Sequence, residues 1–283
     1  MSTLPKRKDE AWRYSDLAAL GEVWPGGEKI GRSLSIPAGQ AARLDDVLAG
    51  TGWRNDAVAI DVGAGGTLIG FIEQGLAAGA VATQDYAITL AAGAAANIVI
   101  LNHGGRFGRI ALDVTLHEGA DFQLGGVIIG GDTQTLEIIT TVRHAGPGAT
   151  SRQVVRTVLG GRAIGSYLGK VAVAREGQKT DAAQSFKALL LERGATANAK
   201  PELEIFADDV KCAHGATVGE LDKTALFYLE SRGVPPQQAK ALLTRAFLSD
   251  ALAAMADDAR EAAETRVTAL LDALLAPALA AAA

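Results

Sequence analysis

The amino-acid sequence predicts a mostly β protein whose core is a parallel β-helix, a solenoid of short strands stacked coil on coil. From residue 57 onward, short apolar or alternating runs follow one another between glycine-rich turns, a pattern typical of strands. Turn glycines recur at Gly93, Gly119, Gly148 and Gly177, at intervals of 26, 29 and 29 residues. A period of this size indicates a solenoid. No helical pattern separates the runs, so βαβ units are not expected, and a β-sandwich is the alternative.

The composition agrees with repetitive packing. Hydrophobic residues make up 48% of the chain but aromatic residues only 5%, and there are 33 glycines. The interior must therefore be built mainly from aliphatic and small side chains. Such side chains favour regular coils over a core organised around a few large aromatic anchors.

The chain is predicted to divide into three parts. Residues 1–56 are interpreted as an arm of short helical pieces, with AWRYSDLAAL and QAARLDDVLAG as the candidate helices and PGGEKIG as the loop between them. Residues 57–220 form the predicted β-helix core. Residues 221–283 return to a helical period and form a predicted C-terminal helical region.

The C-terminal region is predicted to hold two helices, DKTALFYLESRG and the longer segment that starts at PPQQAKALL. Asp222 is suited to cap the first helix, Gly233 to end it and Pro236 to begin the second. Leu242, Leu243, Ala246 and Phe247 form an apolar stripe at helical spacing. This stripe either covers the open end of the solenoid, whose last coil would otherwise expose its core, or binds a partner.

Charge and cysteine content narrow the function. The formal net charge of -5 argues against general attraction to nucleic acid or anionic lipid, so a protein partner is expected. The single cysteine excludes an intramolecular disulfide and an all-cysteine metal site within one chain. The N-terminal segment lacks the apolar run of a signal peptide, and Asp272 and Pro277 interrupt the apolar C-terminal segment. We therefore expect a cytoplasmic protein without a membrane span.

No catalytic motif is complete. The four histidines show neither HExxH spacing nor a partner nucleophile, and no GxSxG sequence occurs. The segment GGEKIGRS has the glycine spacing of a phosphate-binding loop, but an arginine replaces the lysine and no apolar strand precedes it. The chain is therefore not expected to be an enzyme.

The segment Cys212-Ala213-His214 is the one constellation with metal chemistry. In an extended strand the first and third residues share a face, so the thiol and the imidazole would lie side by side. Together they could bind zinc, copper or iron, or the histidine could help to deprotonate the thiol. The alternatives are a small buried cysteine and a hydrogen-bonded structural histidine. Two ligands do not complete a metal site, so any metal would need a second chain.

The sequence between residues 178 and 219 closely resembles the SufB/SufD family of iron–sulfur cluster assembly proteins. The run KPELEIFADDVKCAHGATVGELD carries the resemblance most specifically, and LDKTALFYLESRGVPPQQAKALLTRAF continues it. His144, Gly148, Ser151, the GKVAV segment and WRY at 12–14 match more loosely. The intact KCAHGATVG form and the low cysteine content favour the SufD-type branch.

The resemblance implies a right-handed parallel β-helix and a non-catalytic scaffold. It implies a SufB-type scaffold as the partner of the β-helix and a SufC-type ABC ATPase as the partner of the C-terminal helices, with His214 and Cys212 near the site of cluster assembly. The cluster or iron would be held transiently in the complex, without a tightly bound cofactor in the isolated chain. The residues expected to dock the ATPase are Phe227, Tyr228, Leu242, Leu243 and Phe247.

Two other functions remain open at this point. One is a homodimeric metal-binding protein in which two Cys212/His214 pairs meet across a two-fold axis. The other is a polysaccharide-acting enzyme on a β-helix, which predicts a secreted protein and is disfavoured by the missing signal sequence.

Overall fold

The computed structural model describes residues 3–24, 30–253 and 255–280, without the side chains of 258, 259 and 276–280. Within these residues, fourteen strands follow one another almost without interruption. Their bounds are β1 Ile30–Ile36, β2 Ala41–Gly50, β3 Trp53–Val62, β4 Thr67–Leu76, β5 Val81–Leu90, β6 Ala95–Gly104, β7 Phe107–Leu116, β8 Asp121–Gly130, β9 Thr135–His144, β10 Thr150–Leu159, β11 Ile164–Val173, β12 Asp181–Leu190, β13 Thr196–Ile205 and β14 Lys211–Gly219.

The strands form two parallel sheets of seven strands each. The odd-numbered strands make the first sheet, in the order β1-β3-β5-β7-β9-β11-β13, and the even-numbered strands make the second. Two successive strands therefore make one coil, and each strand between the two ends pairs with its equivalents in the coils before and after it. Alternate aliphatic side chains of both sheets point inward and build one continuous core. The predicted solenoid is confirmed, and the β-sandwich is excluded.

One turn in each of the first six coils holds a residue in the left-handed backbone region, and this stack explains the glycine period. The φ angles at the stacked positions lie between 63° and 69°, and each N–H donates to a carbonyl oxygen of the next coil over 2.6–2.9 Å. The positions are Gly39, Gly65, Gly93, Gly119, Gly148 and Lys179. Gly177 is therefore not the repeat position in its coil. A Cβ atom at Gly177 would instead lie 2.8 Å from the carbonyl oxygen of His144.

The predicted helix at QAARLDDVLAG is wrong, because this segment is strand β2. Its inward side chains alternate with a period of two, and Leu44 and Leu48 face the core. The parallel pairing with β4 fixes this conformation despite the helix-forming alanine and leucine residues. The β-helix core consequently begins at Ile30, within the predicted arm of residues 1–56. Residues 25–29 of the predicted PGGEKIG loop lie outside the described residues.

The helical part of the arm lies on the outer face of the first sheet. It consists of a short 3-10 helix, Glu10–Trp12, and of α1, Leu17–Val23, whose first turn is capped by the Asp16 carboxylate. Beneath it, Arg109 and Glu137 form an ion pair over 2.8 Å, with side chains 4% and 1% exposed. The Trp12 ring covers the Arg109 guanidinium at 4.0 Å. The arm therefore covers a buried charged pair next to an apolar cluster that includes Val81 and Phe107.

Three further helices follow the last strand: α2 Lys223–Ser231, α3 Pro236–Ser249 and α4 Asp257–Ala280. Asp222 accepts hydrogen bonds from the N–H groups of Thr224 and Ala225, which confirms the predicted cap. Gly233 has a φ of 85° just after α2, and Pro236 begins α3. None of the described helices combines the length and apolar character that crossing a bilayer requires.

Helices α3 and α4 pack on the outer face of the second sheet, so they do not cover the end of the solenoid. Leu248, Leu252 and Leu271 contact Val99 and Val127 of the sheet in one apolar cluster. The expected single long helix is broken between residues 249 and 257. The break lies where the chain presses on Gly125, at which a Cβ atom would come within 2.3 Å of the Ala251 carbonyl oxygen.

Candidate functional site

The last coil of the solenoid, formed by β13 and β14, ends in two open strand edges. β13 is the terminal strand of the first sheet and β14 is the terminal strand of the second. In the described part of the chain, each is paired on one side only, with β11 and with β12. Unpaired edge groups of this kind are a template for a strand of another chain.

The side chains that point inward from this last coil include no aspartate, glutamate, lysine or arginine. Their strand register places them next to the core residues of β11 and β12. Ile205 and Val218 are 39% and 44% exposed, because no further coil within the described residues covers them. We call these residues the terminal-coil lumen: Ala197, Ala199, Pro201, Leu203, Ile205, Cys212, His214, Ala216 and Val218.

The opposite end of the solenoid is built differently. There, Arg32 and Asp46 occupy inward register positions on β1 and β2 and form an ion pair over 2.6 Å. The Tyr86 hydroxyl donates to the same carboxylate over 2.7 Å. Inward-pointing charges oppose the addition of another strand, because the incoming chain would bury them. Of the two ends, the C-terminal one is suited to receive a partner.

Cys212 and His214 lie on the lumen face of β14, opposite Ala182 and Gln184 of β12. Cys212 is half-buried and packs with Leu203 and Val210. Burial raises the pKa of the Cys212 thiol above its usual value, while a backbone hydrogen bond with Ala182 lowers it in part and the Asp181 carboxylate raises it. The thiol is therefore neutral near pH 7 and is not a ready thiolate ligand.

His214 is exposed at the mouth of the coil. Its neighbour across the strand pair, Gln184, is buried with 3% exposure, and neither its Oε1 nor its Nε2 has a hydrogen-bond partner. Sequence reasoning missed Gln184. The available signal was a polar residue at an inward position between Ala182 and Phe186.

Within the described residues, no three side chains of histidine, cysteine, aspartate or glutamate come together as a metal site. The pair of Cys212 and His214 is consequently not completed by other residues of this part of the chain. Its position at an open edge leaves room for groups from another molecule.

The five residues predicted to dock an ATPase are divided between surface and interior. Phe227, Tyr228 and Leu242 are 71%, 56% and 49% exposed on α2 and α3. Leu243 is half-buried, and Phe247 packs against the apolar cluster under α3. Helix α2 has no buried residue. The exposed part of the prediction is therefore a surface of three residues.

Together, these features define a class: a β-solenoid protein whose open last coil carries a thiol and an imidazole on its inner face. The comparisons with known proteins identify the family. The family model for the SufBD core domain of SUF system FeS cluster assembly matches residues 34–247, and the chain belongs to this family. The predicted resemblance to SufD-type proteins is confirmed.

Three curated relatives illustrate the similarity. The iron-sulfur cluster assembly protein SufD of Escherichia coli (strain K12) is 33% identical over 141 residues, which cover 50% of this chain and 33% of that protein. Protein ABCI7, chloroplastic, of Arabidopsis thaliana is 34% identical over 55% of this chain and 33% of its own length. An iron-sulfur cluster assembly SufBD family protein of Synechocystis sp. is 33% identical over 55% of this chain and 34% of its own. The matches thus span about a third of each relative.

Proposed function

We propose that this chain is a non-catalytic scaffold subunit that joins a SufB-type scaffold through its terminal coil and builds an iron–sulfur cluster at the junction. The observation that carries the proposal is the uncapped terminal-coil lumen, which presents Cys212 and His214 beside two open strand edges. Membership of the SUF cluster assembly family supplies the nature of the substrate.

Strand addition explains how the partner would bind. A strand placed beside β13 and another beside β14 would continue both sheets, with backbone hydrogen bonds as the main contacts. The partner's inward side chains would cover Ile205 and Val218, whose exposure is costly in the isolated chain. Cys212 and His214 would then lie between two chains, where the partner could complete a ligand set.

The two side chains would have different tasks toward the substrate. A neutral imidazole binds iron through its unprotonated nitrogen, or moves a proton at that nitrogen. The Cys212 thiol must lose its proton before it binds iron, and the raised pKa makes this step unfavourable in the isolated chain. His214 is therefore the proposed principal group, and Cys212 is a secondary one. Iron or a cluster would be held only in the complex.

The second proposed contact is with an ATPase of the SufC type. Phe227, Tyr228 and Leu242 offer exposed aromatic and aliphatic groups on α2 and α3. The Arg232 guanidinium lies 5.3 Å from the centre of the Tyr228 ring, which holds a cation at the edge of this surface. Nucleotide hydrolysis would belong to the partner. A cytoplasmic location stays a prediction.

The test is co-expression with a SufB-type scaffold and a SufC-type ATPase, followed by assay of iron and acid-labile sulfide in the purified complex. His214→Ala should abolish most of the cluster content while leaving the assembly intact, and Cys212→Ala should have a smaller effect. Normal cluster content in the His214→Ala complex would contradict the proposal. A metal-loaded dimer of the isolated chain would instead favour the homodimeric alternative, in which a second copy covers the same open coil.

A further inference from the structure

We propose that Gln184 is a positioning residue for His214: its side-chain amide holds the imidazole in one orientation once a partner closes the terminal coil. The inference deepens the proposed function and rests on it. Two observations support it: Gln184 lies opposite His214 in the strand register, and its side chain is buried. No sequence motif marks this residue.

Register places the two residues side by side. Gln184 is the direct partner of His214 in the parallel pair of β12 and β14, and neighbouring strands lie about 4.8 Å apart. Both side chains point into the lumen, because Ala182 and Phe186, on either side of Gln184, belong to the core. The amide of a glutamine can span this separation to a ring nitrogen.

The burial of Gln184 is what requires an explanation. It is 3% exposed, and both of its polar side-chain atoms lack a hydrogen-bond partner. A buried amide with no partner destabilises the fold, whereas an aliphatic residue would fit a core position without that cost. Such a group calls for an explanation, and a functional site in which another molecule or state satisfies it is one.

In the next coil inward, the polar side chain at this register position is satisfied in part, since the Nε2 of Gln153 has no hydrogen-bond partner but its Oε1 has one. Gln153 pairs with Gln184 in the strand register, and its Oε1 accepts a hydrogen bond from the Tyr167 hydroxyl over 3.2 Å. Tyr167 in turn stacks on Phe186, with ring centres 5.6 Å apart. The side chains of Gln153, Tyr167 and Phe186 therefore support Gln184 from the interior. His214 is the neighbour of Gln184 toward the open end.

In this role, Gln184 would determine which tautomer of the His214 imidazole is present. If the Gln184 oxygen accepts the N–H of one ring nitrogen, the other nitrogen carries the lone pair and faces the substrate iron. The amide then also fixes the plane of the ring. Groups of this kind, which bind a ligand residue and not the metal, change metal affinity or activity by about 10–100-fold.

The experiment is Gln184→Leu in the co-expressed complex. We expect iron and sulfide content to fall about tenfold or more, while the isolated variant melts at a temperature equal to or above that of the parent. Gln153→Leu is the matched control one coil deeper, and it should load normally. Gln184→Glu, which keeps an acceptor of similar reach, should retain most of the loading. With ¹⁵N-labelled histidine, His214 should show a single tautomer in the parent complex and a mixture in Gln184→Leu.

Two results would overturn the inference. One is normal loading in Gln184→Leu, and the other is an equal loss in Gln184→Leu and Gln153→Leu. If Gln184→Leu fails to assemble, Gln184→Ala decides by the same measure, since it removes the amide without adding bulk. His214→Ala distinguishes a failure of the positioning role of Gln184 from a failure of the proposed function. If it loses loading while Gln184→Leu does not, only the positioning role fails, and if both load normally, the proposed function fails.

Discussion

Cys212 and His214 point to the same inner face of strand β14, and this face is covered in the coils between the two ends of the solenoid but open in the last one. The two residues therefore occupy positions that would be core positions if the solenoid continued. In the proposed function, their chemistry is directed at the partner that covers this coil.

A charge placed in the terminal-coil lumen should block the partner. Val218→Asp puts a carboxylate where the proposed partner would bury it, and burial of an unpaired charge costs on the order of 3 kcal/mol or more. Thr217→Asp is the control, since residue 217 is adjacent to Val218 on β14 and points to the opposite face of the sheet. Calorimetry with the SufB-type partner should show much weaker binding for Val218→Asp alone. Equal binding by both variants would show that the partner does not cover the lumen.

The two phenylalanines of the helical region should behave differently. Phe227 is 71% exposed, so Phe227→Ala should leave the unfolding free energy nearly unchanged and weaken ATPase binding by about 2 kcal/mol if this residue is an anchor. Phe247 packs against the cluster under α3, so Phe247→Ala should destabilise the chain by about 2 kcal/mol. Urea unfolding and a binding assay distinguish the two effects. A folded Phe227→Ala variant that binds the ATPase normally would remove Phe227 from the proposed surface.

Removing only one partner of the ion pair between Arg109 and Glu137 should lower the free energy of unfolding. Arg109→Met would leave the Glu137 carboxylate buried without its partner, and such changes destabilise by about 3–5 kcal/mol. Burial raises the pKa of Glu137, so the unpaired carboxyl would be accommodated mainly in its neutral form. The double variant Arg109→Met/Glu137→Gln should recover a large part of the loss. Chemical unfolding at pH 7 measures the stability of the two variants. Equal stability of the double and single variants would show that the unpaired Glu137 carboxyl does not cause the loss.

His144 should make the solenoid sensitive to acid. Its imidazole is fully buried and hydrogen-bonds the Ser151 hydroxyl over 2.9 Å. Burial lowers the pKa of His144 from 6.5 to about 4. The unfolded chain therefore binds this proton first as pH falls, so stability is retained above about pH 6.5 and lost down to about pH 4, by about 3 kcal/mol in total.

The matched variant for this prediction is His144→Gln, which keeps a polar group toward Ser151 but does not titrate. Its unfolding free energy should change less between pH 7 and pH 4.5 than that of the parent. Parallel pH curves for the two proteins would show that His144 does not cause the acid sensitivity.

Local patterns in the sequence were sufficient for several features. The stack of left-handed turn residues requires glycine at most of its positions, so the coil period was visible as a glycine period. Asp222, Gly233 and Pro236 were predictable because helix ends depend on groups within a few residues. The shared face of Cys212 and His214 follows from the alternation of side chains along any strand.

Pairing between distant segments decided the rest. QAARLDDVLAG is a strand because β4 lies beside it, and its own composition did not reveal that neighbour. The apolar stripe of α3 was evident, but only the packed structure shows that Leu248 and Phe247 pack on the outer face of the second sheet while Leu242 stays exposed. Gln184 is informative only because it is buried without a partner next to His214. Periodicity determines which way a side chain points, whereas burial and the satisfaction of its hydrogen bonds depend on residues remote in sequence.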